Sequence, residues 1–183
     1  MSENYDRRSE RGFCAIGIFT PRFQSNVGVL WRTAFNLGAS YIFTIGRRFQ
    51  YRADVAKAER HIPLFEYEDW SEFQIPTKTK LVGIEIIEDA LPLHEYTHPE
   101  RAIYLLGAED YGLPHDIMAE CDDIVQIESH HCLNVSATGA IVLYDRFCES
   151  RVMRLNPPQI PVKTGYIGDD FGEILDIPLG LSQ

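Results

Sequence analysis

A regular alternation of short apolar runs with segments of helical spacing constrains the fold of this chain more than any other feature. Each run is four to seven residues long and rich in Ile, Val, Leu and aromatic residues, as expected for a buried strand. The predicted strands are Cys14–Phe19, Tyr41–Ile45, Leu64–Tyr67, Lys80–Ile86, Ala102–Leu106 and Asp123–Ile127. Strands that alternate with helices predict an α/β fold with a mainly parallel sheet and helices on both faces.

The helices between these strands are predicted from apolar spacing and from end signals. Apolar residues recur at helical spacing from Val27 to Leu37. Ser25 and Asn26 are favourable caps for the start of this helix, and Gly38 is a typical end. The further segments with helical character are Pro114–Glu120, the amphipathic Val135–Arg151 and, as a helix or an active-site loop, Arg52–Arg60.

Length and composition indicate a single globular domain. The 183 residues suffice for one domain with a sizeable core, and a hydrophobic fraction of 45% excludes disorder along the whole length. We expect a polar segment over residues 1–12, one folded domain over 13–154, and a tail rich in Pro and Gly over 155–183. The sequence has no apolar stretch of about 18 residues, so no membrane span is expected. Its first residues lack the apolar centre of a signal peptide, which predicts cytoplasmic residence.

The formal net charge of −10 is unevenly distributed along the chain. Residues 1–60 carry a balance of +5 and residues 61–183 a balance of −15. A basic first third favours a local positive face towards a polyanion such as nucleic acid, whereas an acidic, well-solvated surface is the alternative. The arginines that we consider for contacts with phosphate are Arg22, Arg32, Arg47, Arg48 and Arg52.

Three polar clusters follow predicted strands or open predicted helices, where parallel sheets bind their ligands. They are Asn26–Arg32, Leu106–Leu113 and Cys132–Ser136. The dinucleotide pattern G-x-G-x-x-G and the Walker A loop are both absent from the sequence, which disfavours a dinucleotide enzyme and a P-loop NTPase. We therefore expect the three clusters to converge on a site of another kind.

Individual residues of these clusters suit a ligand site, although each has a simpler explanation. Gly107 at a strand end lets a planar ligand approach the backbone, and it is otherwise a turn glycine. Arg32 suits bidentate binding of phosphate, and it is otherwise a solvated helix arginine. Asn26 and Asn134 are alternatively helix caps, and Glu109 is alternatively an exposed loop acid.

In their order and spacing, the clusters resemble the three motifs of the SPOUT superfamily, TrmH/SpoU branch. The matches to its first motif, N-x-G-x-x-x-R, are Asn26, Gly28 and Arg32. The matches to its second motif, G-x-E-x-x-G-L, are Gly107, Glu109, Gly112 and Leu113. The third motif, S-L-N-V-S, is matched by residues 133–136, with Cys132 in place of the first serine. The resemblance covers residues 13–151.

The resemblance implies an RNA ribose 2′-O-methyltransferase that uses S-adenosylmethionine, forms S-adenosylhomocysteine and requires no metal. It also implies a deep C-terminal trefoil knot and a homodimer in which Arg32 lies near the subunit junction. The catalytic residues that it implies are Asn26, Arg32, Glu109 and Asn134. The cofactor-binding residues that it implies are Leu106, Gly107, Gly112, Ile127, Cys132 and Leu133. We expect tRNA as the first choice of substrate and ribosomal RNA as the second.

Other interpretations of the sequence are kept as alternatives. The Cys132 replacement and a short segment over 128–132 leave room for a non-catalytic RNA-binding protein that retains the fold. A zinc site at His130, His131 and Cys132 is disfavoured, because adjacent histidines in a strand point to opposite faces and no second ligand pair has suitable spacing. The four cysteines form no CxxC pair and are expected to be reduced. A small-molecule enzyme is disfavoured because no nucleophile–base pair stands out.

Overall fold

The computed structural model describes residues 12–46 and 58–152, and in this part of the chain seven strands alternate with helices. The strands are β1 (Phe13–Phe19), β2 (Tyr41–Ile45), β3 (Leu64–Tyr67), β4 (Lys80–Ile84), β5 (Leu91–Pro92), β6 (Arg101–Leu106) and β7 (Asp123–Gln126). The α-helices are α1 (Gln24–Leu37), α2 (His115–Glu120) and α3 (Val135–Val152). Single turns of 3-10 helix lie at Ala58–Arg60, Trp70–Glu72 and Leu93–Glu95. The predicted α/β class is confirmed.

The seven strands form one sheet in the order β3-β2-β1-β6-β4-β7-β5, and every pair of these strands is parallel. The central strands end in register. Leu106 at the end of β6 lies beside Ile18 of β1 on one side and Ile84 of β4 on the other. Ile84 in turn lies beside Val125 of β7. The loops that follow these strands therefore leave the sheet at the same edge.

Apolar side chains cover both faces of the sheet. Along β6, Tyr104 and Leu106 belong to the core beneath α1 and α3, whereas Ile103 and Leu105 belong to the core that includes Ile117 of α2. This alternation follows from the two-residue period of a strand, and all four side chains are buried. Helices thus cover both faces, as the sequence predicts.

Helices α1 and α3 pack against each other on one face of the sheet. Gly139 of α3 lies directly over Leu30 of α1, where an added Cβ atom would be 2.5 Å from the Leu30 Cδ1 atom. The absence of a side chain at Gly139 therefore permits the close approach of the two helices. Gly38 ends α1 in the left-handed conformation with a φ of 83°, as its position in the sequence predicts.

The start of α1 differs from the sequence prediction. The helix begins at Gln24, after Phe23, and no side chain caps its first turn. The prediction that Ser25 and Asn26 cap this helix is therefore wrong, since both lie inside it. Asn26 is buried, and its amide group has partners outside the helix.

Several boundaries also shift where the chain leaves the sheet. Strands β4 and β7 end before their predicted limits, because the residues that follow turn into loops. Pro114 precedes α2 instead of occupying its first turn. Strand β5, of two residues, was not predicted. Residues 1–11, 47–57 and 153–183 lie outside the described residues, and with them the predicted tail and most of Arg52–Arg60.

Within the described residues, no helix is both long enough and apolar enough to cross a lipid bilayer.

Candidate functional site at the ends of β4, β6 and β7

A cavity of about 210 Å³ lies where three neighbouring strands of the sheet end. Its walls come from the β4 loop (residues 85–90), the β6 loop (residues 107–113), the β7 loop (residues 127–134) and the first turns of α3. Open parallel sheets bind ligands at this position, outside the carboxyl ends of their strands. The second and third polar clusters of the sequence therefore meet at one cavity, as predicted.

The β6 loop is a tight turn closed by two backbone hydrogen bonds. The Ala108 N–H donates to the Gly112 carbonyl at 3.1 Å, and the Gly112 N–H donates to the Ala108 carbonyl at 2.9 Å. Gly112 has a φ of +65°, which favours glycine. At Gly107, an added Cβ atom would be 2.8 Å from the Gly112 backbone. Both glycines of the second motif are thus required by the shape of the turn.

Glu85, from the β4 loop, holds the β6 loop in place. One carboxylate oxygen, Oε2, accepts a hydrogen bond from the Leu113 N–H at 2.7 Å, and Oε1 accepts from the Ile86 N–H at 3.0 Å. A side chain at Gly107 or Gly112 would collide with this carboxylate. Glu85 also lines the cavity. The two glycines and Glu85 therefore form one interlocked unit.

Glu85 belongs to none of the three motif clusters, although the sequence contains a signal for it. It is the acidic residue within the apolar run Leu81–Ile86 that was assigned to a strand. A carboxylate in a buried strand is costly unless it has partners. This cost indicates that the chain leaves the sheet at Glu85 and that the carboxylate has specific contacts.

A chain of side-chain hydrogen bonds joins the three motif clusters. The Asn134 Nδ2 atom donates to the Asn26 Oδ1 atom at 3.1 Å, and Asn26 Nδ2 donates to Glu109 Oε1. These residues come from the β7 loop, α1 and the β6 loop respectively. The other Glu109 oxygen, Oε2, is buried and has no hydrogen-bond partner among the described residues. Since a buried carboxylate oxygen without a donor is costly, a ligand donor beside Glu109 would be favourable.

Asn134 is also a helix cap. Its Oδ1 atom accepts from the N–H groups of Ser136 at 3.0 Å and Ala137 at 3.4 Å, at the start of α3. The Ser136 hydroxyl donates to the same oxygen at 2.6 Å. The interpretation of Asn134 as a helix cap is thus correct, and the residue additionally connects α3 to Asn26.

The six residues for which the resemblance implies cofactor binding all line the cavity, namely Leu106, Gly107, Gly112, Ile127, Cys132 and Leu133. They supply apolar surface and exposed backbone. Glu109 lines the same cavity. The structure thus brings together residues that are up to 27 positions apart in the sequence.

Arg32 lies apart from this group. Its side chain is exposed on the side of α1 that faces away from the core, and Arg32 is not among the residues that line the cavity. Within the described part of the chain, its guanidinium has no hydrogen bond or ion pair. Arg22 forms an ion pair with Asp110 of the β6 loop, with 2.6 Å between Nη1 and Oδ1. The predicted RNA-binding residues outside the described residues are Arg47, Arg48 and Arg52.

Cysteines and histidines near the cavity do not form a metal centre in the described residues. No group of three His, Cys, Asp or Glu side chains with suitable placement occurs there. The described cysteines are free thiols. Burial raises the pKa of the Cys14 and Cys121 thiols to about 11 each, whereas Cys132 is exposed at the cavity.

Comparison with known proteins gives a consistent match to one family. The model of the SpoU rRNA Methylase family matches residues 14–144. The mouse tRNA (guanosine(18)-2′-O)-methyltransferase TARBP1 is 26% identical over 149 residues, which cover 73% of this chain and 9% of that protein. The 23S rRNA (guanosine-2′-O-)-methyltransferase RlmB of Acinetobacter baylyi is 34% identical over 76 residues, covering 40% of this chain and 30% of that protein.

A solved structure shows the same fold. The SpoU methyltransferase AviRb from Streptomyces viridochromogenes, in complex with the cofactor AdoMet, superposes with a TM-score of 0.69 at 20% sequence identity. The match covers 84% of this chain and 66% of that chain.

Proposed function

Because the chain belongs to the SpoU rRNA Methylase family, we propose that it transfers a methyl group from S-adenosylmethionine to a ribose 2′-hydroxyl of RNA. The chain spans less than a third of the length of either curated relative that it matches. The observation that carries the proposal is the hydrogen-bond chain Asn134–Asn26–Glu109, which joins all three motifs at the edge of one cavity. A shared site of this kind accounts for motifs that lie far apart in the sequence.

The cavity has the chemistry that an adenosine-containing cofactor requires. Leu106, Ile127 and Leu133 offer apolar surface to a planar ring, and the turn at Gly107 exposes backbone groups at its edge. The buried Glu109 Oε2 atom lacks a donor among the described residues, and a ligand hydroxyl or amino group would satisfy it. S-adenosylmethionine, when bound, supplies the sulfonium methyl group.

The residues of the chain then orient the RNA and stabilise developing charge. Arg32 carries a guanidinium that stays protonated and binds phosphate through two hydrogen bonds. We propose that Arg32 binds the phosphate next to the target ribose. It would also stabilise the negative charge that develops on the 2′ oxygen as the proton leaves. Asn26, Glu109 and Asn134 are positioning residues, because their contacts fix α1 and the two cavity loops relative to one another.

Arg32 is proposed to act at the cavity of a partner subunit in a homodimer. Its guanidinium is exposed and does not line the cavity of its own chain. Helices α1 and α3 both leave apolar side chains in contact with solvent, including Val29, Ile141 and Tyr144. Burial of these side chains against a second copy would be favourable and would place α1 at the subunit junction.

The proposed substrate class is tRNA, with ribosomal RNA as the second candidate. The mouse relative is named for tRNA and the Acinetobacter relative for 23S rRNA, and both names specify guanosine. The match to the mouse tRNA methyltransferase covers 73% of this chain, and the match to the Acinetobacter rRNA methyltransferase covers 40% of it. The five arginines from Arg22 to Arg52 are proposed to contact the RNA backbone.

We also propose that the loops around the cavity form the trefoil knot of the SPOUT fold. In support, Glu85 from the β4 loop contacts the β6 loop, and β4 lies between β6 and β7 in the sheet. Mechanical stretching of the chain tests the knot. A tightened knot leaves the extended chain shorter than about 3.6 Å per residue, and an unknotted chain reaches that length.

The deciding experiment is incubation of the protein with methyl-labelled S-adenosylmethionine and total RNA, followed by separation of RNA classes and mapping of the labelled nucleoside. We expect the label in tRNA, on a ribose 2′ oxygen. Calorimetric titration with S-adenosylmethionine separates this activity from the non-catalytic alternative. An RNA-binding protein without cofactor affinity would contradict the proposal.

A further inference from the structure

Tyr111 is presented to solvent at the rim of the cavity. Its side chain is 92% exposed, the largest fraction among the exposed large hydrophobic residues in the described part of the chain. It lies between Asp110 and Gly112, both of which line the cavity. The two hydrogen bonds between Ala108 and Gly112 close the turn that carries it. The ring is thus held by a tightly closed turn at the cavity mouth.

A second exposed aromatic residue lies on the neighbouring loop. Phe23, 50% exposed, precedes α1 in the loop that follows β1. The Arg22 guanidinium lies 5.1 Å from the centre of the Phe23 ring and forms its ion pair with Asp110, beside Tyr111. Strands β1 and β6 are adjacent in the sheet, which places their loops side by side. These contacts therefore join Phe23, Arg22 and Asp110 across the two loops, and Tyr111 is the next residue after Asp110.

Rings and a guanidinium in this arrangement suit an unpaired nucleobase. Every base has a π-face, and proteins bind single-stranded RNA by stacking bases on aromatic rings and on arginine planes. A single exposed aromatic residue requires no explanation. Here a second exposed ring and an arginine on the neighbouring loop are tied by an ion pair to Asp110, which precedes Tyr111 and lines the cavity, so the four residues form a defined surface. The second motif, G-x-E-x-x-G-L, leaves the position of Tyr111 unspecified, so the motif does not account for this residue.

We propose that Tyr111, together with Phe23 and Arg22, forms a stacking platform for an unpaired RNA base next to the nucleotide that enters the cavity. The inference rests on the proposed function, because it takes the substrate to be RNA. It adds a requirement that the methyl-transfer chemistry does not impose, namely that the RNA has an unstacked base beside its target ribose. Tyr111 would therefore select flexible or looped RNA over a continuous duplex.

The test compares two probes that differ only in their bases. One is a fluorescent single-stranded RNA of about twelve mixed nucleotides, and the other is an abasic strand of the same length and charge. For the wild type, we expect tighter binding of the strand with bases. Tyr111→Ala should weaken that binding about tenfold and leave the binding of the abasic strand unchanged. Tyr111→Phe should bind like the wild type, since the ring is retained.

Two further measurements separate stacking from a structural role. A Tyr111→Trp variant should gain exposed indole emission that the strand with bases quenches and the abasic strand does not. The matched control is Phe65→Ala, since Phe65 is 45% exposed but lies on β3 at the far edge of the sheet. That control and all Tyr111 variants should retain the affinity of the wild type for S-adenosylmethionine.

The outcomes distinguish this inference from the proposed function. If the wild type binds S-adenosylmethionine and methylates RNA while Tyr111→Ala binds the strand with bases equally well, the platform is wrong and the function stands. Equal losses on both probes would also contradict stacking, as would a surface that takes a protein partner and no RNA. If the wild type binds neither S-adenosylmethionine nor RNA, both proposals are wrong.

Discussion

At the scale of single residues, the side chains beside the cavity make contacts in more than one direction. Asn134 accepts hydrogen bonds from the start of α3 and donates to Asn26. Glu85 accepts from its own loop and from the β6 loop. Loss of either side chain would leave donors or acceptors without partners in two elements. Arg32 is different, because no contact within the described residues depends on its guanidinium.

Arg32→Ala should therefore abolish methyl transfer without loosening the fold. We expect the methylation rate to fall by at least about a hundredfold, because the proposed role of the guanidinium is to stabilise charge that develops during the reaction. The affinity for S-adenosylmethionine, measured by calorimetry, should stay nearly unchanged. Arg60→Ala, which removes another exposed arginine, is the control and should retain activity. Loss of cofactor binding in Arg32→Ala would count against the assigned role.

Glu85→Ala, unlike Arg32→Ala, should lower both the stability of the fold and the affinity for S-adenosylmethionine. Removal of the carboxylate leaves the Leu113 and Ile86 N–H groups without their acceptor, so the free energy of unfolding should fall by about 1–3 kcal/mol. Because the β6 loop loses its support, affinity for S-adenosylmethionine should fall as well. Glu85→Gln keeps one acceptor and should lose less in both respects. The matched control is Glu88→Ala in the same loop, and equal effects of both alanine variants would contradict the assigned contact.

At the scale of elements, the sites of contact between loops decide the shape of the cavity. Apolar periodicity placed the strands correctly but extended β4 to Ile86 and β7 to Ile127. Both residues lie beyond the ends of these strands and line the cavity. Periodicity reports only that a side chain avoids water, so it does not distinguish a strand end from an apolar ligand wall.

Cys132 provides a chemical readout of the β7 loop. Its thiol is exposed at the cavity, whereas burial raises the pKa of the Cys14 and Cys121 thiols to about 11. At neutral pH, iodoacetamide should therefore modify Cys132 before those two, since the thiolate is the reactive form. Saturating S-adenosylmethionine should slow this modification, as followed by mass spectrometry of the peptides. Cys132→Ser, which restores the family residue, should lose the fast phase. Modification of Cys132 at an unchanged rate would contradict the placement of the cofactor.

At the scale of the whole molecule, the proposed dimer predicts that two variants, each inactive by itself, restore activity when they form a mixed dimer. Arg32→Ala keeps its cavity, whereas Gly107→Ala keeps its arginine but should lose cofactor binding, because the new Cβ atom meets the Gly112 backbone. Mixing the unfolded variants and refolding them should restore about a quarter of the wild-type activity, since half of the dimers are mixed and each holds one complete site. If Arg32 acts within its own chain, the mixture should be inactive. A solution mass near the 20.9 kDa of one chain would also contradict the dimer.

A buried histidine at the opposite end of β6 should make stability depend on pH. The His98 ring is 2% exposed and lies 2.6 Å from the Tyr104 hydroxyl and 3.1 Å from the Asp145 carboxylate. Burial and the charge of Arg146 lower the pKa of His98 below its usual 6.5, although Asp145 and Glu149 oppose this shift. Below pH 6.5 the unfolded chain therefore binds more protons than the folded chain, and stability decreases as the pH falls towards the folded pKa.

Urea denaturation at pH 7.5 and pH 5.5 measures this effect. Acidification should lower the free energy of unfolding more in the wild type than in His98→Gln, which retains hydrogen-bonding capacity without a titratable ring. The comparison between the two proteins removes the contribution of the carboxylates, which titrate in both. Equal losses of stability in the two proteins would show that His98 does not contribute.

The sequence by itself determined the α/β class, the strands and the three motif clusters, because apolar period and turn residues are local properties of the chain. The resemblance of these clusters to one family also implied six residues that the structure places along the cavity. Only the tertiary structure decided that Asn26 joins two loops instead of capping α1, because its partners are 83 and 108 residues away.

The same distinction explains Glu85 and Tyr111. How much a carboxylate stabilises the fold depends on which backbone N–H groups the fold brings to it. One of the N–H groups that donate to Glu85 belongs to Leu113, 28 residues away in the sequence. An aromatic residue becomes a binding surface only when its neighbours leave it exposed, as they do at Tyr111. Local spacing contains neither fact, since both depend on contacts between segments that are adjacent in space but not in sequence.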